Sequence, residues 1–117
     1  MMRLAIGGTE LESSQIVHGC MRIRGDNSAE GREKGKAAVR HAIAEGLNHF
    51  DHADIYGDGE CEECFAEILK EEPGLREQII ITSKCGVRKE GEPDTDAPGR
   101  YDFSREHILK SVDGSLG

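Results

Sequence analysis

The stretch "HFDHADIYGDGE", residues 49–60, packs two histidines, three aspartates, a glutamate and a tyrosine into twelve positions. Such a set suits either a metal cage or the carboxyl end of a strand that carries proton-transfer chemistry. A cage would use His49 and His52 as H-x-x-H, with Asp51, Asp54 and Glu60 as oxygen ligands. That spacing converges on a helix, but "LNHF" (47–50) follows Gly46 and reads as a short strand, along which alternate side chains point to opposite faces. His49 therefore reads as a strand histidine hydrogen-bonded to its neighbours, and no metal is expected. Asp51 then stands at a strand end, and Tyr56 follows in the loop beyond it.

Working outward, Ala38, Val39, Ala42 and Ile43 recur at helical spacing between Glu30 and Glu45, with Gly46 where a helix end favours glycine. Cys61, Cys64, Phe65, Ile68 and Leu69 form one stripe of a second helix over 60–72, which Pro73-Gly74 ends. "IIITS" (79–83) is a continuous β-branched run suited to a strand covered on both faces. Upstream, "QIVHGCM" (15–21) is a short apolar strand interrupted by Gly19, and residues 1–15, with Gly7-Gly8, suit a small hairpin-like lead-in. Residues 86–103 read as a long polar loop. Ser104 suits the N-cap of a last helix that would turn Ile108, Leu109, Val112 and Leu116 inward.

The order strand, helix, strand, helix, strand, loop, helix predicts an α/β fold with parallel strands and right-handed crossovers. Three such strands with all helices on one side leave open sheet edges, which complete folds cover or close, so the 117 residues read as a truncated domain. The open edges predict self-association.

Composition narrows the function. A net charge of −8 argues against a phosphate-backbone binder, which needs clustered Lys and Arg, so neither nucleic acid nor an anionic membrane is an expected partner. The apolar run before Gly7 is too short for a signal-peptide core or a membrane span, which points to a cytoplasmic protein with reduced thiols. Cys61-x-x-Cys64, with Cys85 further on, is a candidate thiol or zinc site, but no second C-x-x-C exists and both cysteines fall on the apolar stripe. Packing is the simpler reading. "GDGECE" lacks the third glycine of a dinucleotide-binding loop, and no P-loop or G-x-S-x-G is present.

Asp51, Tyr56 and Lys84 remain. Asp51 and Lys84 fall at the carboxyl ends of adjacent parallel strands and Tyr56 follows closely, on the face where barrel enzymes keep their active sites. A phenol with pKa near 10 is a poor acid at neutral pH, and an ammonium about 4 Å away at an effective dielectric near 20 favours the phenolate by at most about 3 pK units. An aspartate beside that lysine would keep it charged and aimed, which makes a tunable proton donor for a carbonyl oxygen. A structural Asp–Lys pair beside a surface tyrosine fits the spacing equally well.

At these residues the sequence resembles the aldo-keto reductase family. "GLNHFDHADIYGDGECEECFAEIL" is similar to the family signature, "IIITSKCG" to its lysine-bearing strand and "HGCMR" to its first barrel strand; "DHADIYG" with "SKCG" is most similar to a bacterial oxidoreductase subgroup. The resemblance implies the N-terminal portion, about three βα units, of a (β/α)8 TIM barrel, with residues 1–117 stopping before strand 4. It implies NADPH-dependent reduction of a small carbonyl substrate. It also implies that Tyr56 donates the proton, Lys84 lowers its pKa, and Asp51 pairs with Lys84 near the nicotinamide ribose, with Gly19, Cys20 and Met21 lining the cofactor. His52 departs from the small residue usual after the aspartate. The family's catalytic histidine falls beyond Gly117, so the 117 residues alone are expected to be inactive. Two other classes stay open: a non-catalytic half-barrel binding or assembly module, and a thiol or zinc protein using Cys61, Cys64 and Cys85.

Overall fold

The computed structural model describes residues 1–117, which form two compact units, Met1–Ser83 and Lys84–Gly117. In the first unit, strands β1 (Arg3–Ala5) and β2 (Glu12–Ser14) pair antiparallel as the expected lead-in hairpin, with Gly7 at φ 56° in its turn. Three parallel strands follow in the order β3 (His18–Gly19), β4 (His49–Asp51) and β5 (Ile80–Thr82). Helix α1 (Ala29–Ala44) crosses from β3 to β4, and α2 (Glu60–Glu71) from β4 to β5. No helix is long and apolar enough to cross a membrane.

Sheet and helices share one core. Cys20, Ile23, Val39, Phe50, Cys61, Cys64, Phe65 and Ile68 are all buried in it. Both cysteines of the C-x-x-C pair are fully buried beside Phe65 and Ile68, so their place on the apolar stripe is packing. Alternation along β4 sends Phe50 into this core, where its ring meets Phe65 at 5.2 Å, and sends His49 and Asp51 to the other face. Helix α1 starts where the Ser28 hydroxyl accepts from the Gly31 N–H, and Gly46 follows its end at φ 98°.

Across the outside of the two helices runs a charge network. Lys36, buried along its stem, reaches Glu33 at 3.0 Å, Glu67 at 2.9 Å and Glu71 at 2.8 Å, while Arg32 pairs with Glu67 and Arg40 with Glu71 and Glu72. The carboxylates hold the Lys36 ammonium well above the usual lysine range, with Glu71 the largest influence. They are correspondingly lowered.

Three expectations are corrected. The strand expected over 15–21 is ordered as β only at His18–Gly19, and Ile16 and Val17 are exposed outside any strand pairing. Residues 86–103 contain a short antiparallel pair, β6 (Val87–Arg88) with β7 (Arg100–Tyr101), whose two-residue strands are too brief to leave an alternating pattern in a polar sequence. Helix α3 (Arg105–Leu116) is capped by Ser104 as expected, but Leu109, Val112 and Leu116 are exposed. Apart from that hairpin and the helix, the second unit holds no layer broad enough to cover an apolar stripe.

Candidate active site

The last residues of the three parallel strands stand level. Gly19 of β3 is in register with Asp51 of β4, and Asp51 with Thr82 of β5. The Cys20 N–H donates to the Asp51 carbonyl at 2.9 Å, and the His52 N–H to the Thr82 carbonyl at 2.7 Å, so the register continues one residue past the strands. Gly19, Cys20 and Asp51 are thereby brought together at the carboxyl edge of the sheet. Gly19 and Met21 are exposed, whereas the Cys20 side chain is fully buried and offers only its backbone to that edge. A methyl carbon at Gly19 would have nothing within 4 Å, so the strand end is uncrowded.

Tyr56 begins a 3-10 turn, Tyr56–Gly59, and its N–H closes the tight bend before it by donating to the Ala53 carbonyl at 3.1 Å. Gly57 and Asp58 both adopt left-handed backbone, with φ of 58° and 55°, a costly choice at Asp58 that reverses the chain before α2. Tyr56 is half-buried and packs on the core. Lys84, which opens the second unit, is exposed and lies two residues beyond Thr82 in the chain.

On the same face as Asp51, His49 is fully used by neighbours. Its Nδ1 lies 2.9 Å from the Ser13 Oγ and its Nε2 2.6 Å from the Thr82 Oγ1. Asn48 adds two bonds to the hairpin, accepting from the Ser14 N–H at 2.6 Å and donating to the Glu12 carbonyl at 2.8 Å. These two side chains fasten the lead-in under the sheet. His52 points into the core, its ring edge-on to Phe65 at 4.7 Å. His49 and His52 thus occupy opposite faces, and no group of three or more His, Cys, Asp or Glu is arranged to hold a metal ion.

The model of the aldo/keto reductase family matches residues 15–117. The chain belongs to the aldo/keto reductase family. It is 37% identical over 108 residues to an uncharacterised oxidoreductase of Bacillus subtilis, covering 92% of this chain and 35% of that protein. A 6-dehydroglucose reductase of Agrobacterium fabrum is 38% identical over 117 residues, covering 99% of this chain and 39% of the relative. Among solved structures, the holo form of an aldo-keto reductase from Bacillus halodurans superposes with a TM-score of 0.80 at 28% identity, covering 99% of this chain and 35% of that one. A glycerol dehydrogenase from Gluconobacter oxydans gives 0.79 at 27% identity, covering 97% and 34%. The chain therefore spans between a third and two fifths of the length of these aldo/keto reductases, and its three βα units are the N-terminal portion of their (β/α)8 barrel.

One feature of the site escaped the sequence reading. Arg24, in the loop between β3 and α1, reaches the Tyr56 turn: its Nη1 donates to the Glu60 carboxylate at 2.7 Å, and its stem lies directly against Gly57. The glycines on either side of Asp58 in "YGDGE" signal a left-handed turn, but nothing in them signals the arginine seated on it.

Proposed function

We propose that these residues are the first part of the active site of an NADPH-dependent carbonyl reductase that converts aldehydes or ketones to alcohols. The observation that carries this reading is the level alignment of Gly19, Asp51 and Thr82 at the carboxyl edge, with Tyr56 on the loop that follows Asp51. Catalytic groups of a (β/α)8 barrel are carried at that edge.

When bound, a reduced nicotinamide cofactor supplies a hydride to the carbonyl carbon. The exposed Gly19, the Cys20 backbone, Met21 and Asp51 would line it, and no atom crowds the space beside Gly19. Tyr56 donates its phenolic proton to the carbonyl oxygen as the C–O double bond becomes an alcohol. Lys84 steadies the phenolate left behind, and Asp51 pairs with the lysine ammonium. Proton transfer by a placed group contributes roughly 10²–10⁴-fold.

The family resemblance puts a further catalytic histidine outside these 117 residues, so residues 1–117 by themselves are expected not to turn over substrate and to pair through their open edges. The domain is read as an incomplete barrel over 1–117. A chimera in which residues 1–117 replace the matching segment of the Bacillus halodurans relative tests the function. Oxidation of NADPH by a simple aldehyde is the expected result; a folded chimera that does not oxidise it would overturn the reading.

A further inference from the structure

We infer that Arg24 is a positioning residue for Tyr56, holding the left-handed turn after the tyrosine in the shape that fixes its direction. This rests on the reading of Tyr56 as proton donor for its catalytic meaning, though not for its geometry. Three observations carry it. First, a methyl carbon at Gly57 would lie 2.3 Å from the Arg24 Nε and 2.5 Å from its Cδ, so the arginine stem is seated on the bare backbone that follows Tyr56. Second, the Arg24 Nη1 bonds Glu60 at 2.7 Å, the first residue of α2, so the turn is spanned on both sides. The three consecutive left-handed residues between Tyr56 and Glu60 include the non-glycine Asp58, a conformation that persists only where surrounding structure over-determines it.

Third, the loop that carries Arg24 is itself anchored. A methyl carbon at Gly35 of α1 would lie 1.6 Å from the Ile23 carbonyl oxygen, so loop and helix meet backbone to backbone. The Cys61 thiol donates to the Met21 carbonyl at 3.3 Å and the Cys64 thiol to the Ile23 carbonyl at 3.8 Å. Ile23 is buried in the core beneath them. The C-x-x-C pair thus grips the loop on either side of Arg22, and Arg24 extends from a fixed base to the turn. Arginine suits this place because its planar head can lie flat on a glycine while still bonding a carboxylate, which a lysine ammonium cannot reproduce.

The test is nuclear magnetic resonance on the chimera that carries residues 1–117, with the Tyr56 ring signal assigned by its loss in Tyr56→Phe. Arg24→Lys and Glu60→Gln are compared with the parent, both chosen to keep bulk and folding. The expected result is a displaced Tyr56 ring signal, together with about tenfold faster hydrogen exchange at the Asp58 amide, the factor set by losing one charge-assisted hydrogen bond. Unchanged Tyr56 and Asp58 signals in both variants would overturn the inference. A reading of Tyr56 that fails in activity assays leaves these signals where they are, so the two failures are distinguishable.

Discussion

Gly35 and Ile23 meet backbone to backbone, with the space for a side chain at position 35 already filled by the Ile23 carbonyl oxygen. In an open helix, replacing glycine by alanine stabilises by about 1 kcal/mol. Here the sign reverses. Gly35→Ala is expected to destabilise by roughly 1–3 kcal/mol, because neither backbone can yield without moving the loop or the helix. Gly114 in α3 is the control, since a methyl carbon there would have nothing within 4 Å, and Gly114→Ala should stabilise its helix. Urea midpoints for the two variants check the opposite signs.

The lead-in hairpin depends on Asn48 and His49. Removing the Asn48 amide leaves the Ser14 N–H and the Glu12 carbonyl without their partner, and Asn48→Ala is expected to cost about 1–2 kcal/mol. The Ser13 hydroxyl donates to the Ser14 carbonyl, so His49 must donate from Nδ1 to the Ser13 Oγ and accept at Nε2 from the Thr82 hydroxyl. Nitrogen-15 spectra of neutral His49 should show the proton on Nδ1; a proton on Nε2 would contradict this network.

Charge between α1 and α2 makes stability depend on pH in a defined window. Glu71, then Glu67 and Glu33, raise the folded pKa of Lys36, so its contribution is complete below the unfolded lysine value and is lost only in strong base. Lys36 lowers Glu67 and Glu71, whose contributions are present above the unfolded glutamate value, about 4.3, and are lost as pH falls through the depressed ones. Lys36→Met should lower the melting temperature by a constant amount between about pH 5 and 9, and the gap should close below about pH 4. A gap that widens in acid would refute the network.

Thiol reactivity separates a packing role from a redox one. Cys20, Cys61 and Cys64 are buried, burial pushes the Cys64 thiol up, and only Cys85 is partly exposed. A disulfide-exchange reagent should find one fast thiol in the native chain and the other three only after denaturation. Fast reaction at Cys61 and Cys64 together would favour the thiol reading instead.

Much of this architecture was readable from residue pattern. Helix α1 with its glycine end and α2 with its cysteine-bearing stripe each carry a periodicity long enough to be decisive, while β5 was marked only by its continuous β-branched run, and its Thr82 is exposed rather than covered on both faces. The opposite orientation of His49 and His52 followed from strand alternation alone. What the pattern hid was set by tertiary contact: strand pairs of two residues leave no period, and the apolar stripe of α3 says which side is greasy but not whether anything covers it. Asp51, Tyr56 and Lys84 were visible as residue types at spacing. Arg24 was not, because nothing in its own neighbourhood announces a bond to a residue 36 positions away.

The most direct measurement is kcat for aldehyde reduction by NADPH in the chimera that carries residues 1–117, comparing Tyr56→Phe with Tyr101→Phe. If Tyr56 donates the proton as proposed, Tyr56→Phe should lower kcat at least about 100-fold with little change in KM, while the Tyr101 variant keeps its rate. A Tyr56→Phe chimera that retains kcat within about twofold would contradict the assignment of Tyr56 as the proton donor.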